Sequence, residues 1–162
     1  MKHYIKLFKS FGYAFQGVFH TILTERNMRI HLTCVCYMLG FLLLTDWFVL
    51  TRTDWAILVI ASVLVIAAEL INTAVEKAVD LATAERHPLA KAAKDAAAGA
   101  VLVFAIGAVI VGLLILLQPE AFRRLWAHFT THPLSLAAFI LSIVPATLFT
   151  FFGFGKRPEQ KR

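Results

Sequence analysis

The sequence has few of the residues that interrupt helices, with only 8 glycines and 5 prolines among 162 residues. It contains no run that alternates apolar and polar residues as a half-buried β-strand does. Charged residues are also scarce, at 16% of the chain, whereas 59% of the residues are hydrophobic and the mean hydropathy is +0.73. This composition excludes an ordinary soluble domain. It predicts an all-α integral membrane protein.

Cysteine is nearly absent, and the two that occur cannot define a site. Cys34 and Cys36 are two residues apart in an apolar run, so they point to different sides of a helix. They can neither staple a disulfide framework nor form a zinc site alone, and we expect them to pack. A small-residue cleavage site is also lacking near the amphipathic N-terminus, so no secretory signal peptide is expected.

Long apolar runs are what the sequence does contain. Each of four segments approaches or exceeds the roughly 20 residues that a helix needs to span a bilayer. A further N-terminal segment carries apolar residues on one face, which predicts a helix lying on the membrane surface. The predicted spans are about 30–50, a run from Trp55 through Ala68 and beyond with Thr53 or Asp54 as its cap, 97–117 and 134–154; the surface face is Tyr4, Phe8, Phe11, Phe15 and Val18 or Phe19.

The basic residues predict the orientation of these spans. Thirteen of the sixteen lysines and arginines fall on one side, which should be cytoplasmic, so both termini are expected inside. Orientation also accounts for the pI of about 9.6, and nucleic-acid binding is not expected. That side holds Lys2, Lys6, Lys9, Arg26, Arg29, Lys77, Arg86, Lys91, Lys94, Lys156, Arg157, Lys161 and Arg162, and the other holds Arg52, Arg123 and Arg124.

A polar stripe follows the second apolar run. Glu69, Asn72, Glu76 and Asp80 are spaced by three, four and four residues, which places them on one face of a helix. Ionisable groups in a membrane helix are expensive and therefore suggest function. At 1.5 Å per residue, Glu69 lies about 21 Å and Glu76 about 31 Å from Trp55. Glu76 is then at the headgroup level and Glu69 is deeper, which suits chemistry on a lipid headgroup.

The residue types of the stripe and its neighbours suit phosphoryl transfer. Carboxylates with an amide favour a hard ion such as Mg²⁺, which binds through one or two carboxylates plus substrate phosphates. A nearby lysine can bind phosphate, and a deeper carboxylate can take a proton from a lipid hydroxyl. The sequence has neither a GxxxxGK[ST] loop nor a kinase glycine-rich loop, so no familiar nucleotide-binding fold applies.

Four motifs resemble those of one family, the small bacterial integral-membrane diacylglycerol and undecaprenol kinases. They are FGYAFQG at 11–17, ERNMRIHL at 25–32, the stripe ELINTAVEKAVD at 69–80, and Lys94-Asp95 followed by Ala98. The resemblance covers about residues 4–118. It implies an ATP-dependent, Mg²⁺-requiring lipid kinase in the bacterial inner membrane. It also implies a homotrimer with three spans per subunit and active sites shared between chains.

The resemblance also implies roles for individual residues. Glu69 would be the catalytic base and contact the lipid, as would position 98, where Ala98 replaces the Ser of some members. Glu25 and Glu76 would hold the metal. The positions implied in ATP binding are Lys6, Tyr13, Glu25, Asn72, Glu76, Asp80, Glu85, Arg86, His87, Lys94 and Asp95.

The acceptor lipid and one other class of function stay open. The segment ERNMRIHL, with His31, looks more like the undecaprenol-kinase branch, so undecaprenol is the preferred acceptor and diacylglycerol the alternative. A proton or metal transporter would need ionisable groups reaching both faces, whereas the outer half offers only Asp46, Arg52 and Asp54. The acidic stripe could also pair with basic residues purely to satisfy its charge.

The chain is longer than the resemblance requires. We expect a lipid kinase domain at 1–118, followed at 119–162 by a linker, an additional transmembrane helix and a basic tail. The additional helix is expected to serve as an anchor or packing helix outside the catalytic core, with Pro145 as a kink.

Overall fold

The computed structural model describes residues 2–153, with side chains from residue 6 onward. Over this range the protein is entirely α-helical apart from short connections, and four helices are long and apolar enough to cross a membrane. The predicted all-α membrane fold is therefore confirmed. The side chain of Tyr4 and the residues from 154 onward, including the basic tail, lie outside what the structure describes. The helices are α1 (Lys2–Thr24), α2 (Arg26–Leu44), α3 (Arg52–Ala82), α4 (Pro88–Leu116), α5 (Pro119–Thr131) and α6 (Pro133–Phe152).

The N-terminal amphipathic helix α1 exposes its apolar face, as expected of a surface helix. Phe8, Phe11, Phe15 and Phe19 are each more than half exposed. The helix ends at Thr24, and α2 begins at Arg26, because the single residue between them, Glu25, adopts an extended conformation with φ −99° and ψ 120°. This single residue makes the bend between the surface helix and the first span.

The first span differs from its predicted range of 30–50. Helix α2 begins earlier, at Arg26, and ends earlier, at Leu44, where Thr45 turns extended and its hydroxyl donates to the carbonyl of Phe41. The chain after it is held from another part of the molecule. The Gln118 side chain donates to the Val49 carbonyl and accepts from the Val49 N–H, both at 3.0 Å. These tertiary hydrogen bonds give the Val49 N–H and carbonyl the partners that a helix would otherwise supply.

The second span, α3, starts three residues before Trp55, and its cap differs from the one expected. Thr51 is the N-cap rather than Thr53 or Asp54. The Thr51 hydroxyl accepts from the Asp54 N–H, and the Asp54 carboxylate accepts from the Thr51 N–H, which completes a capping box. With 31 residues, α3 is about 46 Å long, well beyond a hydrocarbon core of about 30 Å. Its C-terminal turns therefore extend out of the apolar layer.

Removing the cap should destabilise the protein measurably. Thr51→Ala is expected to lower the free energy of unfolding by about 1 kcal/mol, since it removes one acceptor for the orphan N–H groups of α3. Thr53→Ala is the matched control, because the exposed Thr53 side chain forms no hydrogen bond among the described residues. Unfolding of both variants by SDS titration in mixed micelles measures the difference. Equal midpoints would contradict the capping role.

Among the described helices, α3 and α4 make the most extensive contact, and they carry most of the candidate site. The connection at 83–87 is short, and α4 starts with Pro88 at its first turn, where the missing N–H costs nothing. The Nδ1 atom of His87 accepts from the Leu89 N–H at 3.2 Å and caps α4. The buried residues of α3 lie in its middle part: Leu58, Val65, Ala68, Glu69, Asn72 and Thr73.

The segment expected as a linker after the third span contains a helix. Residues Pro119–Thr131 form α5, with Pro119 in the first turn, Glu120 near the N-terminus and His128 near the C-terminus, as the helix dipole favours. Helix α5 leads directly into α6, so little of the region is irregular.

The fourth span, α6, packs against α2 and runs antiparallel to it. Phe139 meets the rings of Tyr37 and Phe41 edge-on, with centroids 6.1 and 5.3 Å apart. The Tyr37 and Ser142 hydroxyls are hydrogen-bonded at 2.9 Å. The helix continues through Pro145. Its end lies beside the start of α2, so the α1–α2 bend and the end of α6 are at the same end of the helix bundle.

Candidate active site

Glu69 is the most deeply buried carboxylate of the described residues. Its exposed fraction is 2%, and its Oε2 atom has no hydrogen-bond partner within the described part of the chain. One turn further along α3, the Thr73 hydroxyl donates to the Glu69 carbonyl at 2.9 Å. A buried carboxylate oxygen without a partner is costly. Such an atom is suited to accept a proton or a hydrogen bond from a ligand.

Asn72 and Glu76 form the next level of the stripe. The Asn72 Nδ2 atom donates to Glu76 Oε1 at 3.0 Å, and the buried Asn72 Oδ1 has no partner among the described residues. Glu25, at the α1–α2 bend, and Glu76 are both close enough to act electrostatically on Glu69. The structure therefore gathers three carboxylates and one amide from helix α3 and from the α1–α2 bend. The predicted stripe is joined from outside its own helix by Glu25.

A cavity of about 200 Å³ opens beside Glu69. Ala98 of α4 lines it, so the two residues predicted to contact the lipid share one space. A second, apolar cavity of about 360 Å³ lies deeper between α2, α3 and α4. His31 and Ala105 line both this cavity and the one beside Glu69. Together they lead from Glu69 toward the middle of the apolar layer. The first is lined by Asn27, Ile30, His31, Glu69, Asn72, Ala98, Val101, Leu102 and Ala105.

A separate, more polar cleft of about 600 Å³ lies at the α3–α4 connection. It contains six of the residues predicted to bind ATP: Asp80, Glu85, Arg86, His87, Lys94 and Asp95. Lys94 pairs with Asp80 at 2.5 Å, and Lys91 pairs with Asp95 at 3.1 Å. Exposed ion pairs of this kind contribute little stability, so a phosphate group could exchange with the carboxylate at Lys94 at small cost.

Two of the predicted ATP-binding residues are not joined to these groups. Lys6 and Tyr13 lie on the exposed surface of α1, where Tyr13 is 68% exposed. Within the described range, neither side chain forms a hydrogen bond or an ion pair. His87 lines the cleft, but its Nδ1 atom is occupied in capping α4.

Several residues around Glu69 were not singled out by the sequence. Val101, Leu102 and Ala105 line the cavity, and their spacing from Ala98 places them on one face of α4, which is a readable signal. Asn27 and His31, which the ERNMRIHL motif beside Glu25 already indicated, line it from α2. Arg29, which the sequence indicates as an orientation charge or as a partner of the acidic stripe, is buried beside the α1–α2 bend and forms no ion pair within the described residues.

The donor atoms in this region fit a hard divalent cation. Glu25 and Glu76 offer carboxylate oxygens, and Asn72 Oδ1 is a buried oxygen that lacks a partner. Within the described residues no group of three or more His, Cys, Asp or Glu side chains could hold a metal ion. Two carboxylates are nevertheless what Mg²⁺ takes from a protein when phosphates complete its shell.

The fold and the site define a multi-pass membrane protein with a buried carboxylate, Glu69, beside a cavity between its helices. The comparison with protein families is specific: residues 12–116 match the family described as prokaryotic diacylglycerol kinase. The match covers more than half of the chain, and the protein belongs to this family of membrane lipid kinases. ATP is therefore the co-substrate. Membership of a lipid kinase family also argues against the alternative function of a proton or metal transporter. No curated protein and no solved structure matches the chain.

Proposed function

We propose that the protein transfers the γ-phosphate of ATP to the hydroxyl of undecaprenol. The observation that carries the proposal is the cavity beside the buried Glu69, which continues into an apolar space between α2, α3 and α4. A single-chain alcohol can bring its narrow hydroxyl end to Glu69 and leave its tail among apolar side chains. Diacylglycerol, the alternative acceptor in this family, must fit a glycerol with two ester groups into about 200 Å³.

Each of the clustered residues has a role in this reaction. The Glu69 carboxylate accepts the proton of the lipid hydroxyl, and the lipid oxygen attacks the γ-phosphorus of ATP. The bond between that phosphorus and the β–γ bridging oxygen breaks, which gives the lipid monophosphate and ADP. Position 98 lies beside the acceptor. Its Ala98 offers no hydroxyl, so Asn27 or His31 is the polar contact available there.

The cleft at the α3–α4 connection would take the nucleotide. Lys94 would leave its ion pair with Asp80 and bind a phosphate of ATP. Asp95 and the connection at 85–87 would contact the rest of ATP. Glu25 and Glu76 would hold Mg²⁺, which would supply positive charge against the phosphates, and Asn72 would orient Glu76. Lys6 and Tyr13 could reach the nucleotide only by a contact that the single chain does not form.

The assembly and location follow as part of the proposal. A homotrimer with shared sites would bring a neighbour's groups to residues such as Tyr13 and cover the apolar faces that α2 and α4 expose. The site is at the end of the bundle that holds the α1–α2 bend, the α3–α4 connection and the end of α6. The excess of basic residues favours the cytoplasmic face of the bacterial inner membrane for this end, with both termini inside.

A parallel acceptor assay tests the choice of lipid. Purified protein receives ATP labelled at the γ-phosphate together with undecaprenol or diacylglycerol at equal mole fraction in micelles. We expect label to enter undecaprenol several-fold faster, because the narrow cavity admits a single chain more readily. Separation of the extracted lipids by chromatography measures both rates, and Glu69→Gln protein gives the background. Faster labelling of diacylglycerol would replace undecaprenol as the preferred acceptor.

A further inference from the structure

One buried arginine joins the end of α6 to the junction of α1 and α2. Arg29 is only 5% exposed. Its Nε atom donates to the carbonyl of Thr150 at 3.2 Å, and its Nη1 atom donates to the carbonyls of Ile22 and Leu23 at 3.1 and 3.0 Å. No carboxylate pairs with Arg29 in the described part of the protein. Its charge is therefore satisfied by main-chain carbonyls alone.

These carbonyls belong to the last turns of two helices. The final carbonyls of a helix lack partners within it and carry partial negative charge, so a cation at this position is favourable. Arg29 satisfies α1 and α6 at once from the first turn of α2. Withdrawing α6 would leave a buried charge with fewer acceptors, which is a costly change. The three helix ends are thus coupled through one guanidinium.

The end of α6 fits closely around Arg29. Gly153 has φ +65° and ψ −166°, a conformation that is essentially restricted to glycine. A Cβ atom added there would lie 3.3 Å from Cζ and Nη1 of Arg29. The hydroxyls of Thr33 and Thr150 are hydrogen-bonded at 3.2 Å one turn further along α2. Glycine at 153 therefore allows the guanidinium and the end of α6 to meet.

Glu25 lies inside the segment that Arg29 fixes. The Glu25 N–H donates to the Thr21 carbonyl at 2.8 Å, and the Glu25 carbonyl accepts from the Arg29 N–H at 3.4 Å. The guanidinium holds residues 22 and 23 on one side of Glu25, and Arg29 itself belongs to α2 on the other side. The conformation of the bend at Glu25 therefore depends on contacts that reach α6.

We propose that α6 is a positioning element of the active site. By docking on Arg29 it fixes the α1–α2 bend and thereby holds Glu25 where it can bind the metal that accompanies ATP. Arg29 touches no substrate and acts through Glu25, so it is a positioning residue. The inference rests on the metal role of Glu25 in the proposed function. It differs from the sequence-based expectation that α6 is an anchor outside the catalytic core.

Direct metal binding by the full-length protein tests the inference without turnover. Mn²⁺ is titrated by electron paramagnetic resonance in the presence of a non-hydrolysable ATP analogue. Gly153→Ala should weaken Mn²⁺ binding about tenfold, the factor that the loss of one charge-assisted hydrogen bond explains. In kinase assays the same variant should raise KM for Mg-ATP while kcat at saturating Mg-ATP stays near the wild-type value.

Tyr37→Phe is the matched control. It removes the hydrogen bond to Ser142 in the middle of the α2–α6 contact and leaves Arg29 untouched. Its Mn²⁺ affinity should equal that of the wild-type protein. Equal affinity of the Gly153→Ala and wild-type proteins would overturn the inference, and so would equal weakening by both variants, because the effect would then reflect α6 packing in general.

A crosslink keeps the inference testable if Gly153→Ala fails to fold. Cysteines replace Thr33 and Thr150 in a chain whose Cys34 and Cys36 are changed to serine, and a mild oxidant forms the disulfide. The disulfide between positions 33 and 150 should form readily, and the crosslinked protein should keep wild-type Mn²⁺ affinity. Absence of the crosslink, or loss of affinity on forming it, would refute the docked position as the binding-competent one.

Failure of the premise can be told apart from failure of the docking. Glu25→Gln with unchanged Mn²⁺ affinity would overturn the inference by removing the metal role of Glu25 from the proposed function. The crosslink would still form in that case, because it depends only on the position of α6. A missing crosslink together with a weakened Glu25→Gln variant would instead locate the failure in the docking.

Discussion

Replacing Glu69 with Gln is expected to lower the rate of lipid phosphorylation by about 10²- to 10⁴-fold, the range that loss of a general base causes. Gln has nearly the shape of Glu and can still form hydrogen bonds, but it cannot accept the proton of the lipid hydroxyl. The Glu69 Oε2 atom has no competing partner among the described residues, so the base is available without breaking an internal bond. Initial rates with the labelled-ATP assay give the loss.

The same variant should bind the nucleotide normally. Glu69 is separated from the 600 Å³ cleft, which its side chain does not line, so the affinity for the Mn²⁺ complex of an ATP analogue should stay within about twofold of wild type. Glu120→Gln is the control for loss of a carboxylate, because within the described part of the chain the exposed Glu120 pairs only with Arg123 on α5. Glu69→Gln protein that retained more than about a tenth of the wild-type rate would remove Glu69 from the role of base.

The stripe on α3 is the part of the site that the sequence predicts best. Positions on one helix are fixed by its rise and rotation, so the spacing of Glu69, Asn72 and Glu76 places them on one face before any tertiary contact is known. The structure adds the hydrogen bond between Asn72 and Glu76. The pairing of Asp80 with Lys94 is nearly as predictable, because a short connection forces α3 and α4 to lie side by side.

Contacts between distant segments could not be predicted in this way. Arg29 and Thr150 are separated by 121 positions in the sequence, and nothing in either local pattern indicates the other. An arginine before an apolar span is equally typical of a charge that only orients the span in the membrane, without any tertiary contact. The end of α2 could not be predicted either, because it depends on another contact between distant segments. The Gln118 side chain is hydrogen-bonded to the Val49 backbone, at a place where the composition alone still allows the helix to continue.

Helix α5 was missed although its sequence carries signals. Arg123 and Arg124 interrupt the apolar pattern, which favoured a linker. Pro119 at the first turn and Glu120 beside it are typical of a helix start, and His128 is typical of a helix end. With 13 residues, α5 is too short to span a bilayer, so the same sequence also fits a polar connection between two spans.

The second large effect is expected at Glu76, where metal and nucleotide would meet. Glu76→Gln keeps an oxygen that can accept from Asn72 Nδ2 and removes only the negative charge. Affinity for the metal–nucleotide complex should fall by at least about 10- to 100-fold, a loss that is typical even of residues that merely orient a metal ligand. The effect should appear as a higher Mg²⁺ requirement, in contrast to the lower rate expected at Glu69.

Kinase rates measured against free Mg²⁺ at fixed ATP separate these two outcomes. Glu76→Gln should recover much of its rate at high Mg²⁺, since added metal compensates for weaker binding but not for a missing base. Lys77→Gln is the matched control, because Lys77 is the exposed neighbour of Glu76 at the same level of α3. An unchanged Mg²⁺ requirement in Glu76→Gln would argue that Glu76 serves only to bind Asn72. The same shift of the Mg²⁺ requirement in Lys77→Gln would show that the effect is not specific to Glu76. The two carboxylates can in this way be assigned to binding and to chemistry by their response to one ion.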